Sequence, residues 1–245
     1  MSGTQVVSAD QDKALRLLDA QNKALVLFND IERDLLRKGV SEKQLSDEIH
    51  HLGNVRYGIK THWHKRVVRS GPNTLKPYSE SLTDRIIEDD DILFVDLGPL
   101  FETWEADFGR TYVLGNDPNK LKLRDDLHII WRRVKEAFWE NSKMTGDELY
   151  AIASREAKQA GYVFGAEIAG HLVGSFPHER IPRDKVSLYV MPGNTERMTQ
   201  KGKDGLQRHW ILEIHLHDYK RGFGGFMEQL LTINEEGVPE ATAHE

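Results

Sequence analysis

The sequence predicts an α+β fold in which capped helices come in pairs and lead into strands. Three observations support that expectation. Apolar residues recur at helical spacing behind capping side chains, and separate apolar runs bounded by turn residues read as strands. In addition, Ser41-x-x-x-Leu45 is faintly echoed by Thr145-x-x-x-Leu149, each opening a capped helix that ends at glycine ahead of an aromatic-containing strand.

The first ten residues are small and polar and are expected to form a flexible N-terminus, leaving residues 11–245 as a single domain. From Asp10, the residues Leu15, Leu18, Leu25, Phe28, Ile31 and Leu35 mark a long amphipathic helix that Gly39 is expected to end. Ser41 caps a second helix, with Gln44 placed for a capping box and Leu45, Ile49 and Leu52 on the inward side. Strand-like pieces follow between residues 54 and 98 around the turn Gly71-Pro72-Asn73, the last of them over residues 91–97. Asp117-Pro118 is a helix start, a capping side chain followed by proline at the first helical position, and its pattern runs through Ile129, Val134 and Phe138 to Asn141. Thr145 with Glu148 opens another helix, which Gly161 closes. Beyond His171 the clearest strands are residues 210–217 and 226–233.

Composition narrows the function. The chain of 245 residues carries a net charge of −6, with its basic residues scattered, which argues against a nucleic-acid footprint. Zero cysteines remove disulfides and thiolate metal sites, so His, Asp and Glu are the strong ligands available. The start MSGTQVVSADQDK lacks the basic and apolar segments of a secretory signal. No stretch approaches the roughly 18 apolar residues of a membrane span. A cytoplasmic protein without membrane or nucleic-acid partners is therefore expected.

The chemistry is concentrated in a few acids and histidines. Asp96 and Asp107 are eleven residues apart in ILFVDLGPLFETWEADFGRTYVLG, where two strands and a short turn aim both carboxylates into one pocket. His171 in AGHLVGSFPHER, Glu213 in WILEIHLHD and Glu228 in GFGGFMEQLL lie in apolar or glycine-rich settings where an unpaired charge costs several kcal/mol by rough estimate. Gly170 and Gly174 flank His171 and are expected to let backbone and ligand approach closely. Five such ligands suffice for two divalent metal ions, and a two-metal site that polarises a carbonyl and activates water reads as a hydrolase.

The order Asp, Asp, His, Glu, Glu in these contexts resembles the pita-bread metallopeptidase family of methionine aminopeptidase, aminopeptidase P, prolidase and creatinase. The resemblance runs from about Ser41 to the end of the chain. It rests on Ser70-Gly71-Pro72-Asn73-Thr74, on Asp96-x-Gly98 followed by Asp107-x-x-Arg110-Thr111, and on His171 with His178. Arg110-Thr111 favours the aminopeptidase P and prolidase branch. The resemblance implies a curved antiparallel sheet covered by two pseudo-symmetric helix pairs, a dinuclear centre and an aminopeptidase acting on a short peptide or small amide. It implies metal ligation by Asp96, Asp107, His171, Glu213 and Glu228, with Asp107 and Glu228 bridging and Arg110-Thr111 supporting the second carboxylate. It also assigns proton transfer to Glu213 and the substrate carbonyl or its tetrahedral intermediate to His178. Oxygen-rich ligation suits Mn, Fe or Co, with Zn also compatible, and a homodimer is left open.

The chain departs from the family pattern at three points. A substrate-contacting histidine usually found in a Pro-His-Tyr context is replaced at Lys76-Pro77-Tyr78, so Tyr78 stands in the substrate pocket; His62 and His64 either substitute for it or are solvated loop residues. Glu213, His215 and His217 alternate along one strand face, which adds two imidazoles toward the substrate. Phe226 occupies the place of an arginine two positions before the final glutamate. Together these predict an enclosed pocket suited to an Xaa-Pro-like dipeptide or a small amide. Two alternatives stay open: hydrolysis of a non-peptide C–N bond, and a binding module that recognises protein.

Overall fold

The computed structural model describes residues 7–141 and 143–234. Helix α1 spans Ala9–Asp34 and starts where Ser8 Oγ accepts the Gln11 N–H at 3.2 Å, so Ala9 and Asp10, expected in the N-terminal segment, are already helical; residues 1–6 of that segment lie outside the described residues. The buried side of α1 is Ala14, Leu17, Ala20, Ala24, Leu27, Phe28 and Ile31, while Leu15 and Leu25 face solvent. Phe28 and Ile31 are thus buried and Leu18 and Leu35 part-buried against the core, as expected, while Leu17 and Leu27 with three alanines take the inward places expected for Leu15 and Leu25. The helix also ends at Asp34 rather than at Gly39. Gly39 instead makes the following turn, with φ +82° and its N–H donated to the Ile87 carbonyl.

Helix α2, Glu42–Tyr57, is capped by Ser41 and buries Leu45, Ile49 and Leu52 as expected. Its capping box is not reciprocal, because the Gln44 side chain donates to Glu48. Residues 54–57, expected to be strand-like, form its last turn. Strand β1 (Val67–Ser70) and a 3-10 turn over Gly71–Leu75 follow, then β2 (Ile92–Leu97), the short hairpin β3 (Leu100–Phe101) and β4 (Trp104–Glu105), and β5 (Phe108–Val113). Asp117 caps α3 (Pro118–Glu140), in which Val134 and Phe138 are buried but Ile129 is exposed. Helix α4 (Gly146–Gln159) carries the full Thr145–Glu148 capping box, and Gly161 follows it at φ +92°. The chain closes with β6 (Val163–Phe164), β7 (Leu172–Val173), β8 (His209–Asp218) and β9 (Phe223–Leu230), the last beginning and ending three residues earlier than predicted.

These strands form one antiparallel sheet in the order β1-β2-β5-β9-β8-β6, with β7 paired to β8. Leu93, Val95 and Leu97 of β2, with Phe108, pack against α1 and α2. Leu212, Ile214 and Leu216 of β8, with Met227, pack against α3 and α4. The residues alternating with them, Phe94 and Asp96, Phe226 and Glu228, Glu213 and His215, belong to the other face. There Val67, Phe94 and Phe226 form a separate apolar cluster. Both helix pairs thus lie on one face, and the candidate site lies on the other.

Candidate metal centre

Register assembles the acids. Asp96 of β2 is opposite Gly109 of β5, Gly109 is opposite Glu228 of β9, and Glu228 is opposite Glu213 of β8, so one row crosses four strands. Asp107 lies two residues before Gly109, on the same side. Gly109 keeps the row open: a Cβ there would come within 2.2 Å of the Phe226 ring and 3.2 Å of Glu228 Cβ.

Asp107 is shared between two groups of potential ligands, His64–Asp96–Asp107 and Asp107–His171–Glu228. Its Oδ1 is 3.0 Å from His64 Nε2, and its Oδ2 is 3.0 Å from His171 Nε2. His171 Nε2 also lies 3.6 Å from Glu228 Oε1. Both imidazoles are oriented from behind, since carbonyl oxygens only accept: His171 Nδ1 donates to Leu172 O at 2.9 Å, and His64 Nδ1 to Lys65 O at 2.7 Å. Each ring therefore offers Nε2 to the acids, as metal-binding histidines do when a carbonyl holds the other ring nitrogen.

His64, expected at the substrate, thus sits inside the acidic group. Segment 61–64 runs beside residues 98–100, with Trp63 N–H donated to Gly98 O and Leu100 N–H to Thr61 O. A Cβ on Gly98 would fall 2.2 Å from the His64 ring and 2.5 Å from Trp63, so this glycine makes room for both. His62 stays outside the cluster, 6.1 Å from His50 between ring centroids.

Glu213 is buried in the row, with Oε2 at 2.8 Å from His215 Nε2. His215 therefore contacts the candidate acid/base, and its ring packs on Phe226 at 4.5 Å. His217 lies one more alternation along β8, where its Nδ1 meets Tyr219 Oη at 3.0 Å. Tyr78 is half exposed, 6.3 Å from the His64 ring, with the Lys65 ammonium over its own ring at 4.1 Å.

Arg110 and Thr111 act on β9 and do not touch the Asp107 carboxylate. Thr111 Oγ1 donates to Phe226 O and accepts from Phe226 N, both at 2.8 Å, replacing a ladder pair where β5 and β9 share only one register position. From the helix side, Arg110 donates to Gly109 O and Glu228 O and to the Gln229 side chain. This clamp keeps Asp107 and Glu228 side by side. Gly170 is likewise explained by backbone: a Cβ there would lie 2.0 Å from Ile211 O of β8, whereas Gly174 is uncrowded.

Two residues that sequence reasoning missed complete the site. Trp63 donates to Ala106 O at 3.1 Å, and its ring contacts those of His64, His171 and His178 at 4.6, 5.2 and 5.5 Å. Glu105 holds His178, with both carboxylate oxygens about its Nδ1 at 2.9 and 3.0 Å. No local signal sets Trp63 apart from the four other tryptophans, or Glu105 from the chain's other acids.

The chemistry of the donor set fits divalent ions. Asp96, Asp107, Glu213 and Glu228 are all buried, and among the described residues no Lys or Arg pairs with any of them. Asp96 Oδ1 is buried without a hydrogen bond, the nearest imidazole nitrogen being 3.5 Å away. Burial, reinforced by the charges of Asp107 and Glu213 and opposed by His64, pushes the Asp96 carboxyl up to about 7. Burial and Asp107 push Glu228 well above the ordinary range. For His64, burial works downward but Asp107 and Asp96 outweigh it and hold the imidazole at about 9. Metal ions must displace these protons. Apparent affinity for Mn(II) is therefore expected to rise about tenfold per pH unit or more from roughly pH 6 to 8, with proton release. Calorimetry in buffers of different ionisation enthalpy measures this; no proton release near neutral pH would contradict the electrostatics.

The chain is similar to known proteins. Xaa-Pro dipeptidase of Pyrococcus horikoshii is 28% identical over 214 residues, covering 86% of this chain and 55% of the relative. Xaa-Pro dipeptidase of Pyrococcus furiosus is 27% identical over 214 residues, covering 86% and 56%. The chain spans about half the length of the curated relatives it matches, between 39% and 56%. The solved structure of Xaa-Pro dipeptidase from Bacillus anthracis superposes with a TM-score of 0.73 at 20% identity, covering 98% of this chain and 63% of that one, and shows the same pita-bread fold. Metallopeptidase family M24 matches residues 16–226, and with this fold and this acidic row the chain belongs to that family.

Proposed function

We propose that residues 11–245 form one metallohydrolase domain that cleaves the amide bond of a short, Xaa-Pro-type peptide. The observation that carries this reading is the sharing of Asp107 between two ligand groups, one oxygen to each. Asp96, Asp107, His171, Glu213 and Glu228 would hold two divalent ions, with His64 as a further nitrogen donor beside the first. Mn(II), Fe(II) or Co(II) suit this oxygen-rich set, and Zn(II) is compatible. Bound there, the ions supply Lewis acidity and lower the pKa of water.

The chain's own residues carry the rest. Glu213 takes a proton and passes it to the leaving amine, while His215 holds its carboxylate in place. His178 meets the substrate carbonyl or its tetrahedral intermediate. Val67, Phe94 and Phe226 make a dry floor beneath the acids, and Tyr78 with His64 forms one wall. With Tyr78 and Phe226 where the family carries a histidine and an arginine, the pocket is less cationic and more closed, which favours a dipeptide or small amide over a long chain. His217, bonded to Tyr219, belongs to the far end of that pocket.

The test compares an Xaa-Pro dipeptide with a pentapeptide sharing its first two residues, on protein loaded with Mn(II) or Co(II). Turnover of the dipeptide is expected to exceed that of the pentapeptide by about tenfold or more, the scale of roughly 1.4 kcal/mol in transition-state binding. Equal or faster cleavage of the pentapeptide would mean an open groove. Turnover of small amides with no cleavage of either peptide would favour the non-peptide C–N hydrolase instead.

A further inference from the structure

Glu105 is the least exposed acidic side chain among the described residues, and no lysine or arginine pairs with it. A buried carboxylate in that condition needs hydrogen-bond donors, and all of its donors come from one loop. Gly174 N–H reaches Oε2 at 3.0 Å, His178 N–H reaches Oε1 at 3.2 Å, and His178 Nδ1 lies 2.9 Å from Oε2. The backbone around it holds the same loop, with Glu105 N–H donated to Gly174 O at 3.1 Å and Phe176 N–H to Thr103 O at 2.7 Å. On its other side the His178 ring meets Trp63, which also contacts the rings of His171 and His64. The imidazole is thus held by a carboxylate at one nitrogen and braced against the wall of the metal centre.

We propose that Glu105 is a positioning residue, whose carboxylate keeps a proton on His178 Nδ1 and so makes Nε2 the ring atom offered to the substrate. This rests on the peptidase reading above, in which His178 faces the substrate carbonyl. A carboxylate only accepts, so the ring nitrogen facing it must donate. With Nδ1–H held on Glu105, Nε2 donates to an oxyanion only once it has taken a second proton from solvent, so the ring meets the oxyanion doubly protonated. The β3–β4 hairpin, not the sheet, sets the azimuth of this ring, which ties His178 to the segment leading into Asp107.

Two measurements test the proposal. Long-range ¹H–¹⁵N spectra of histidine-labelled protein loaded with diamagnetic Zn(II), with His178 assigned by its loss in His178→Ala, are expected to show the proton on Nδ1 in the wild type. They should show loss of that preference in Glu105→Gln, whose amide can donate as well as accept. A wild-type ring protonated on Nε2 with Nδ1 bare overturns the proposal, and this readout needs neither turnover nor a folded variant at Glu105. In kinetics, Glu105→Gln is expected to lower kcat about tenfold with KM changed less than about twofold, the scale of losing a group that orients a functional imidazole. In a His178→Ala background the same substitution should cost nothing further. A loss that persists in that background means Glu105 only braces the 174–178 loop, and the proposal fails. Complete absence of amide hydrolysis by the loaded wild type would sink the peptidase reading and leave the proton position to be judged by the spectra.

Discussion

Asp107→Asn is expected to lower bound divalent ion from about two equivalents per chain to below about one, because one carboxylate serves both positions. Asp107 presents Oδ1 to the side of His64 and Asp96 and Oδ2 to the side of His171 and Glu228. An amide of the same shape keeps one oxygen and replaces the other by an NH₂ that cannot ligate. It also removes a negative charge from a site where burial works against that charge and the imidazoles of His64 and His171 hold it in place. Both occupancies should fall further than the roughly 10–100-fold that outer-shell substitutions cost. Elemental analysis after incubation with Mn(II) or Co(II) measures the stoichiometry. Wild-type protein that stays below about one tenth of an equivalent would end the two-metal reading outright.

Glu213→Gln should reduce kcat by roughly 10²–10⁴-fold, the range for loss of a general acid/base, with a small change in KM and an unchanged circular dichroism spectrum. Glu213 is buried, its backbone N–H is tied to Ala169 O at 3.1 Å, and its strand neighbour in β9 is Glu228. The glutamine carbonyl can still accept from His215 Nε2, so the contact at 2.8 Å does not force a collapse. What is lost is the ability to take and return a proton. Kinetics unaltered in this variant, on any substrate the wild type cleaves, would remove Glu213 from the chemistry.

The parts of this protein legible in its sequence are those whose meaning is local. Asp96-x-Gly98 and Asp107-x-x-Arg110-Thr111 could be placed side by side from the sequence because they end and begin neighbouring strands of one antiparallel pair. Capping side chains located α2, α3 and α4 because an N-cap oxygen and the backbone N–H that donates to it lie three residues apart. The stripe of α1 differs from expectation at Leu15 and Leu25 because alanines, which carry little hydrophobic signal, supply much of its buried side. Glu105 and Trp63 have no such local reading, and His64 was expected at the substrate rather than among the acids. Their partners are 73, 43 and 43 residues away, too far for neighbouring residues to reveal them.

By itself, then, the sequence carried the family pattern and the candidate acids and imidazoles within it, since strand alternation and turn chemistry act over a few residues and leave a mark in the order of side chains. Only the tertiary structure decided which oxygen of Asp107 faces which imidazole, that Arg110 and Thr111 clamp β9, and that Glu105 holds His178. Those pairings depend on where distant segments come to rest against one another, and a contact closed through packing leaves no period or spacing in the chain that makes it.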